Sequence, residues 1–115
     1  MANDFKNAIA QNVSNAAGGT TIYTTPATKT SIILELDIAN TTQNVVEASV
    51  EILDSSVSAS AWRYLVKNAP VPSGGSLMVI AGQKIVLEAG DKVRVTSSAA
   101  SVMDAVAAIL EDVNS

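Results

Sequence analysis

Short segments in which apolar and polar side chains alternate, separated by turn-forming residues, constrain the fold of this chain most. Successive side chains of a β-strand point to opposite faces, so a period of two is typical of a strand with one buried face. In the segment Ser31–Asn40 four apolar residues are expected to face a core: Ile32, Leu34, Leu36 and Ile38. Glu35 and Asp37 are expected to face outwards.

Similar segments recur along the chain at intervals of roughly 8–12 residues, which is the spacing of all-β sandwiches and barrels. The further predicted strands are Thr20–Thr25, Val46–Asp54, Ala61–Lys67, Ser76–Ile80, Lys84–Glu88 and Lys92–Ser97, with a break at Ala81–Gln83. In the second of these, one face is predicted to hold Val46, Ala48, Val50 and Ile52. The predicted fold is an all-β, antiparallel β-sandwich or jelly roll of about 7–9 short strands.

The two ends of the chain are ambiguous. Phe5, Ile9 and Val13 are spaced by four, which suits one face of a helix or of a strand, and residues 1–19 are interpreted as an N-terminal arm or edge strand. Residues 20–115 form the predicted sandwich domain. Within it, residues 101–113 begin like a helix capping box, but their apolar side chains also alternate as in a strand. A closing strand is preferred, and a terminal helix is the alternative.

Charge excludes several classes of function. Seven basic and 11 acidic residues give a net charge of −4, and the basic residues form no stripe that would bind nucleic acid or an anionic membrane surface. No apolar run is long enough for a transmembrane helix, and the first residues lack the pattern of a signal peptide. Charged residues make up only 16% of the chain, so much of the surface consists of small uncharged side chains that favour subunit packing.

The residue types available for catalysis are few. The chain contains no histidine and no cysteine, so the commonest general base and the usual zinc ligands are absent. Glu35 with Asp37, and Glu47 with Glu51, are carboxylate pairs, but their spacing is that of the solvent face of a strand. We therefore expect no enzyme activity, no cofactor and no metal site.

Candidate interface residues are a few large apolar or aromatic side chains. Trp62 and Tyr64 are expected to lie in the core or, alternatively, to anchor an interface, where both residue types are enriched. The N-terminal residues with a spacing of four are expected to add a strand to a neighbouring sheet. The predicted interface set is Phe5, Ile9, Val13, Trp62 and Tyr64.

Three stretches of the chain resemble a group of small structural proteins of tailed bacteriophages, including marine and cyanobacterial phages. They are TTIYTTPATKTSIILELDIAN (20–40), LVKNAPVPSGGSL (65–77) and KIVLEAGDKVRVTSSAASV (84–102). The matching scaffold positions are Tyr23, Pro26, Asn40, Pro72, Gly74, Gly75, Gly90 and Asp91. The alanine-rich C-terminus departs from the β-branched final strand of that group.

The resemblance implies a β-sandwich virion component, made in the host cytoplasm, that packs against other virion proteins. A capsid decoration (cement) protein bound to the major capsid protein is the leading hypothesis, and attachment at the neck, tail or fibre is the alternative. A second alternative is a carbohydrate- or receptor-binding module. A homo-oligomer is expected, with a trimer as one candidate state.

Overall fold

Eight strands make up the regular structure of the computed structural model, which describes residues 4–58 and 60–113, and of residues 81–83 and 112–113 the backbone alone. The strands are β1 (Asp4–Ala10), β2 (Thr20–Thr24), β3 (Lys29–Asn40), β4 (Val46–Leu53), β5 (Trp62–Val71), β6 (Ser76–Leu87), β7 (Lys92–Ser97) and β8 (Met103–Val113). None of the described residues forms a helix that is long and apolar enough to cross a membrane.

Two antiparallel four-stranded sheets define the topology. The first sheet has the order β1-β8-β3-β6 and the second has the order β2-β7-β4-β5. Each sheet therefore contains strands from both halves of the chain. The chain passes from one sheet to the other at every connection except that between β4 and β5. This order is that of an eight-stranded jelly roll, in which two Greek keys are folded together. The predicted all-β class and strand number are confirmed.

The core lies between the sheets and follows the predicted alternation in the second sheet. In β4, Val46, Ala48 and Val50 are buried, and Ile52 packs against the same cluster. The inward residues of β7 are fully buried as well. These two interior strands obey the period of two because their mutual register is uninterrupted.

Strand β3 departs from the predicted alternation. Its pairing with both neighbours shifts between Ile33 and Glu35, which makes Leu34 a β-bulge. Leu36 and Ile38 are fully buried as predicted, but before the bulge it is Ile33 that is fully buried, so the predicted inward positions of Ile32 and Leu34 are wrong. A bulge inserts one residue into a strand and so exchanges the faces on either side of it.

Strand β6 corrects a second expectation. Ser76–Ile80 and Lys84–Glu88 were predicted as two strands, but Ser76–Leu87 is one strand of 12 residues. The intervening residues lie opposite the bulge of β3, and Lys84 has a positive φ of 53°. The turn-like sequence Ala81–Gln83 therefore provides an irregularity inside a strand instead of ending it.

Both ambiguous ends of the chain are strands of the first sheet. Residues 103–113 form β8, between β1 and β3, and Ala105 and Ala107 are fully buried there. The N-terminal segment forms β1, an edge strand paired with β8 in unbroken register from Asp4 to Ala10. The first strand is thus part of the sandwich, and the first three residues lie outside the described part of the chain.

A buried carboxylate near the end of β8 joins four strands. Glu111 is 1% exposed, and its oxygens lie 2.6 Å from the Tyr23 hydroxyl, 2.9 Å from Lys6 Nζ and 3.0 Å from Lys29 Nζ. The hydrogen bond from Tyr23 and the two ammonium groups hold the pKa of Glu111 at about 2. Burial, together with the hydrogen bond to Glu111, raises the pKa of Tyr23 to about 12. Because Tyr23 belongs to the second sheet, this cluster ties the two sheets together.

We expect Glu111→Gln to lower the free energy of unfolding at pH 7 by about 3 kcal/mol, since two cations and a hydroxyl lose a buried anionic partner. The pKa of Glu111 is lower in the folded state than its ordinary value of 4.5, so its stabilisation is present above pH 4.5 and disappears as the pH falls towards 2. Urea unfolding at pH 7, 4.5 and 2.5 measures both effects. The matched variant Tyr23→Phe should lose less, and equal stability of Glu111→Gln and the wild type at pH 7 would contradict this account.

Candidate interaction surface

The outer face of the first sheet carries a row of apolar side chains that crosses all four strands. Phe5 lies opposite Leu110, Leu110 lies opposite Ile32, and Ile32 lies opposite Val86. Residues directly opposite each other share a face of the sheet and touch across it. Phe5 is 77% exposed and Val86 is 60% exposed, so both ends of this row are open to solvent.

A second row runs parallel to the first, nearer the other end of the strands. It contains Ile9, Val106, Asp37 and Met78 in cross-strand order. Its three apolar members are all exposed. Between the two rows lies a shallow depression lined by Phe5, Asn7, Leu34 and Ala108.

We call this surface the apolar face. It comprises Phe5, Ile9, Ile32, Leu34, Met78, Val86, Val106, Ala108 and Leu110. Single exposed apolar residues are normal on soluble proteins, but a contiguous patch that spans a whole sheet marks an interaction site. The bulge at Leu34 creates this patch, because it turns Ile32 outwards into line with its neighbours.

Two carboxyl groups interrupt the apolar face. Glu35 and Asp37 lie on the same side of β3, and Asp37 Oδ1 is buried without a hydrogen-bond partner among the described residues. The hydrogen bond with Asp37, and then the negative charge of Asp37, raise the pKa of Glu35. A buried carboxylate oxygen without a donor is costly, so this position favours a partner that brings a donor or a cation.

The outer face of the second sheet is different in character. Arg94 makes a bidentate contact with Glu51, at 3.0 and 3.1 Å, and its guanidinium lies 3.7 Å from the centroid of the Trp62 ring. Trp62 is half-buried on this outer surface, opposite Leu53, so its predicted place in the core is wrong. Tyr64 is exposed, with Lys67 Nζ 5.3 Å from its ring centroid. Each ring therefore has a cation on one face.

The five predicted interface residues thus fall into three places. Phe5 and Ile9 belong to the apolar face, whereas Trp62 and Tyr64 lie on the opposite side of the sandwich. Val13 is fully buried in the core, where its N–H donates to the Met103 carbonyl, so it presents no surface to a partner. It leaves the face of Phe5 because β1 ends at Ala10 and Asn12 adopts a positive φ of 55°.

The remaining members of the apolar face were missed because strict alternation assigned each strand only one apolar side. A signal was nevertheless present in uninterrupted apolar runs such as Ile32–Leu34, Leu77–Ala81, Ile85–Leu87 and Ala105–Leu110. Such runs are typical of strands that are covered on both faces. They belong to β3, β6 and β8, which are neighbours in the first sheet.

Comparison of the chain with protein-family models, with curated proteins and with solved structures gives no match. Within the described residues there is also no group of three or more acidic side chains placed to hold a metal ion. The class that the structure itself defines is an eight-stranded jelly roll with one apolar and one polar outer face.

We expect Asp37→Asn to return the pKa of the Glu35 carboxyl towards its ordinary range, because the substitution removes the hydrogen bond between the two carboxyl groups and the neighbouring negative charge. Titration of the Glu35 side-chain carbon by NMR in the wild type and in the variant measures this change. The variant Glu47→Gln, on the other sheet, is the control and should leave the Glu35 titration as it is. A Glu35 pKa that is equal in the wild type and in Asp37→Asn would show that the two carboxyl groups do not interact.

Trp62→Ala should lower the free energy of unfolding by about 2 kcal/mol, because it exposes Leu53 and removes the cation–π contact with Arg94. Urea denaturation followed by circular dichroism measures the loss. The neighbouring exposed residue gives a control, since Arg63→Ala should change stability by less than about 0.5 kcal/mol. If both variants were as stable as the wild type, the Trp62 ring would not be part of the folded surface layer.

Proposed function

We propose that this protein is a non-enzymatic structural subunit of a tailed-bacteriophage virion, and that its apolar face docks onto other virion proteins. The observation that carries the proposal is the apolar row from Phe5 to Val86, which crosses the entire outer face of the first sheet. Exposing so much apolar surface is unfavourable in water, and burial in an assembly removes the cost. The sequence resemblance to phage structural proteins supplies the setting.

Within the virion we favour a capsid decoration role, with attachment at the neck, tail or fibre as the alternative. A decoration subunit has to bind a broad, fairly flat protein surface, and the outer face of a four-stranded sheet provides one. The jelly roll is also a fold found among viral capsid domains, which is consistent with this role as an analogy of fold.

The chemistry of the apolar face also describes its partner. A complementary surface is apolar along both rows and presents a lysine or arginine side chain at Glu35 and Asp37. The cation would satisfy the buried Asp37 oxygen and offset the repulsion between the two carboxylates. A partner with an acidic group at this point would be rejected, so this pair of residues contributes specificity as well as affinity.

Val86→Asp should weaken binding to the particle at least about tenfold, because burying a new carboxylate replaces the burial of an apolar side chain. The test is co-sedimentation of purified protein with phage particles whose own copy has been deleted. Val57→Asp is the matched control, because Val57 is 66% exposed but lies in the loop between β4 and β5. That variant should bind as the wild type does.

Two results would contradict the proposal in different ways. A folded wild-type protein that fails to sediment with particles would refute the virion role. Binding by Val86→Asp at wild-type affinity would show instead that the apolar face is not the docking surface. The melting temperature of Val86→Asp is first compared with that of the wild type. Equal values show that the variant is folded, so that unfolding is not mistaken for lost binding.

A further inference from the structure

Four strands lie at the edges of the two sheets. They are β1 and β6 in the first sheet and β2 and β5 in the second. An edge strand exposes unpaired backbone N–H and C=O groups, which can pair with another chain, and proteins usually protect such edges with bulges, prolines or charges.

Three of these edges are irregular. Strand β2 has only five residues and shifts register between Thr21 and Tyr23. Strand β5 shifts register twice against β4 and contains Pro70, and β6 shifts against β3 and contains Lys84 at positive φ. Each interruption twists or breaks the row of backbone groups that a new strand would need.

Strand β1 has none of these features. It runs from Asp4 to Ala10 in unbroken register with β8, without a proline or a residue at positive φ. Its central charge, Lys6, is turned towards Glu111, with 2.9 Å between Nζ and Oε1. A lysine on an edge strand normally deters pairing, but here the ion pair with Glu111 draws the ammonium group towards β8 and away from the free edge.

We propose that β1 pairs antiparallel with β1 of a second copy of this chain, about a two-fold axis that passes through Asn7. This register uses all seven residues of the strand. It places Phe5 of each copy opposite Ile9 of the other on the outer face, and it sets the two Asn7 amides side by side. Apolar cross-strand pairs of this kind stabilise a sheet, and the symmetry provides two of them.

Neighbouring registers with the same two-fold symmetry are poorer. An axis through Lys6 places two ammonium groups directly opposite each other, and an axis through Ala8 places Ile9 opposite the polar Asn7. In the proposed register Lys6 lies opposite Ala8, and Asp4 lies opposite Ala10, so no like charges are opposed. Charge and apolar contact thus select the same arrangement.

The pairing joins two first sheets into one sheet of eight strands, and the two apolar faces become one continuous surface. A single seven-residue strand is a small interface beside the roughly 800 Å² per partner of a standard complex, so one well-placed substitution should dissolve the dimer. The pairing of β1 does not depend on the proposed function. Only the role of the doubled apolar face rests on that function.

The first test is the oligomeric state of the full-length protein by analytical ultracentrifugation at micromolar concentrations. The wild type should sediment as a dimer, and Ile9→Lys should raise the dissociation constant about tenfold or more, because each substitution acts twice across the axis. Ile9 is 68% exposed, so the variant should fold normally, as judged by circular dichroism and urea unfolding. Val57→Lys has nearly the same exposure and should remain dimeric.

The second test fixes the register. The chain has no cysteine, so Asn7→Cys introduces a single thiol. Opposed residues of antiparallel strands have Cα atoms about 4.5–5.5 Å apart, within the range for a disulfide. Asn7→Cys should therefore form a disulfide-linked dimer on mild oxidation, and Phe5→Cys mixed with Ile9→Cys should form the mixed dimer in preference to either homodimer. Ser73→Cys, in the turn before β6, is the control and should stay uncoupled.

Several outcomes would overturn this inference: a wild-type monomer at tens of micromolar, a wild-type trimer, or coupling of Ser73→Cys as fast as that of Asn7→Cys. These results are distinguishable from failure of the proposed function. A dimer that does not bind particles refutes the virion role and leaves the pairing of β1 intact. A monomer that binds particles refutes the pairing alone, and Val86→Asp should lose particle binding while remaining dimeric.

Discussion

The bulge at Leu34 in strand β3 is the constraint on which the two faces of the first sheet depend. Strand β3 lies between β8 and β6. The bulge therefore decides which residues of both neighbours lie opposite the inward and outward residues of β3. With the bulge, Ile33 and Leu36 both face the core although they are three residues apart in sequence. The same inserted residue places Ile32 on the outside, where it completes the row from Phe5 to Val86. One backbone irregularity thus supplies both a filled core and an apolar outer surface.

The Glu111 cluster has a similar double effect. Its hydrogen bonds and ion pairs connect β1, β2, β3 and β8, and so hold the edge strand and the second sheet to the centre of the first. The same contacts turn Lys6 away from the free edge of β1. A buried anion that stabilises the protomer therefore also holds this cation away from the edge at which association is proposed.

The sequence allowed the class of fold to be predicted because turn residues and alternation are local signals. The faces of β4 and β7 followed directly, since their shared register is regular. The faces of β3 and the continuity of β6 did not follow, because a bulge depends on pairing with residues about 50 positions away in sequence and leaves little local trace. Val13 was misjudged for the same reason: spacing alone does not show that β1 stops at Ala10. Of the candidate surface, Phe5 and Ile9 were predicted, whereas Ile32, Val86 and Leu110 required the topology.

The apolar face and the edge of β1 point in perpendicular directions, which allows the two proposed contacts to coexist. Pairing at the edge extends the sheet within its own plane, while docking takes place on the outer face of the sheet, along the direction perpendicular to that plane. The proposed dimer would present two copies of the apolar face, and binding of the first copy to a particle would raise the effective concentration of the second. Under this proposal, two modest contacts would combine into firm attachment without a large interface at either site. The polar second sheet, with Arg94 held between Glu51 and Trp62, lies on the opposite side of the sandwich from the apolar face.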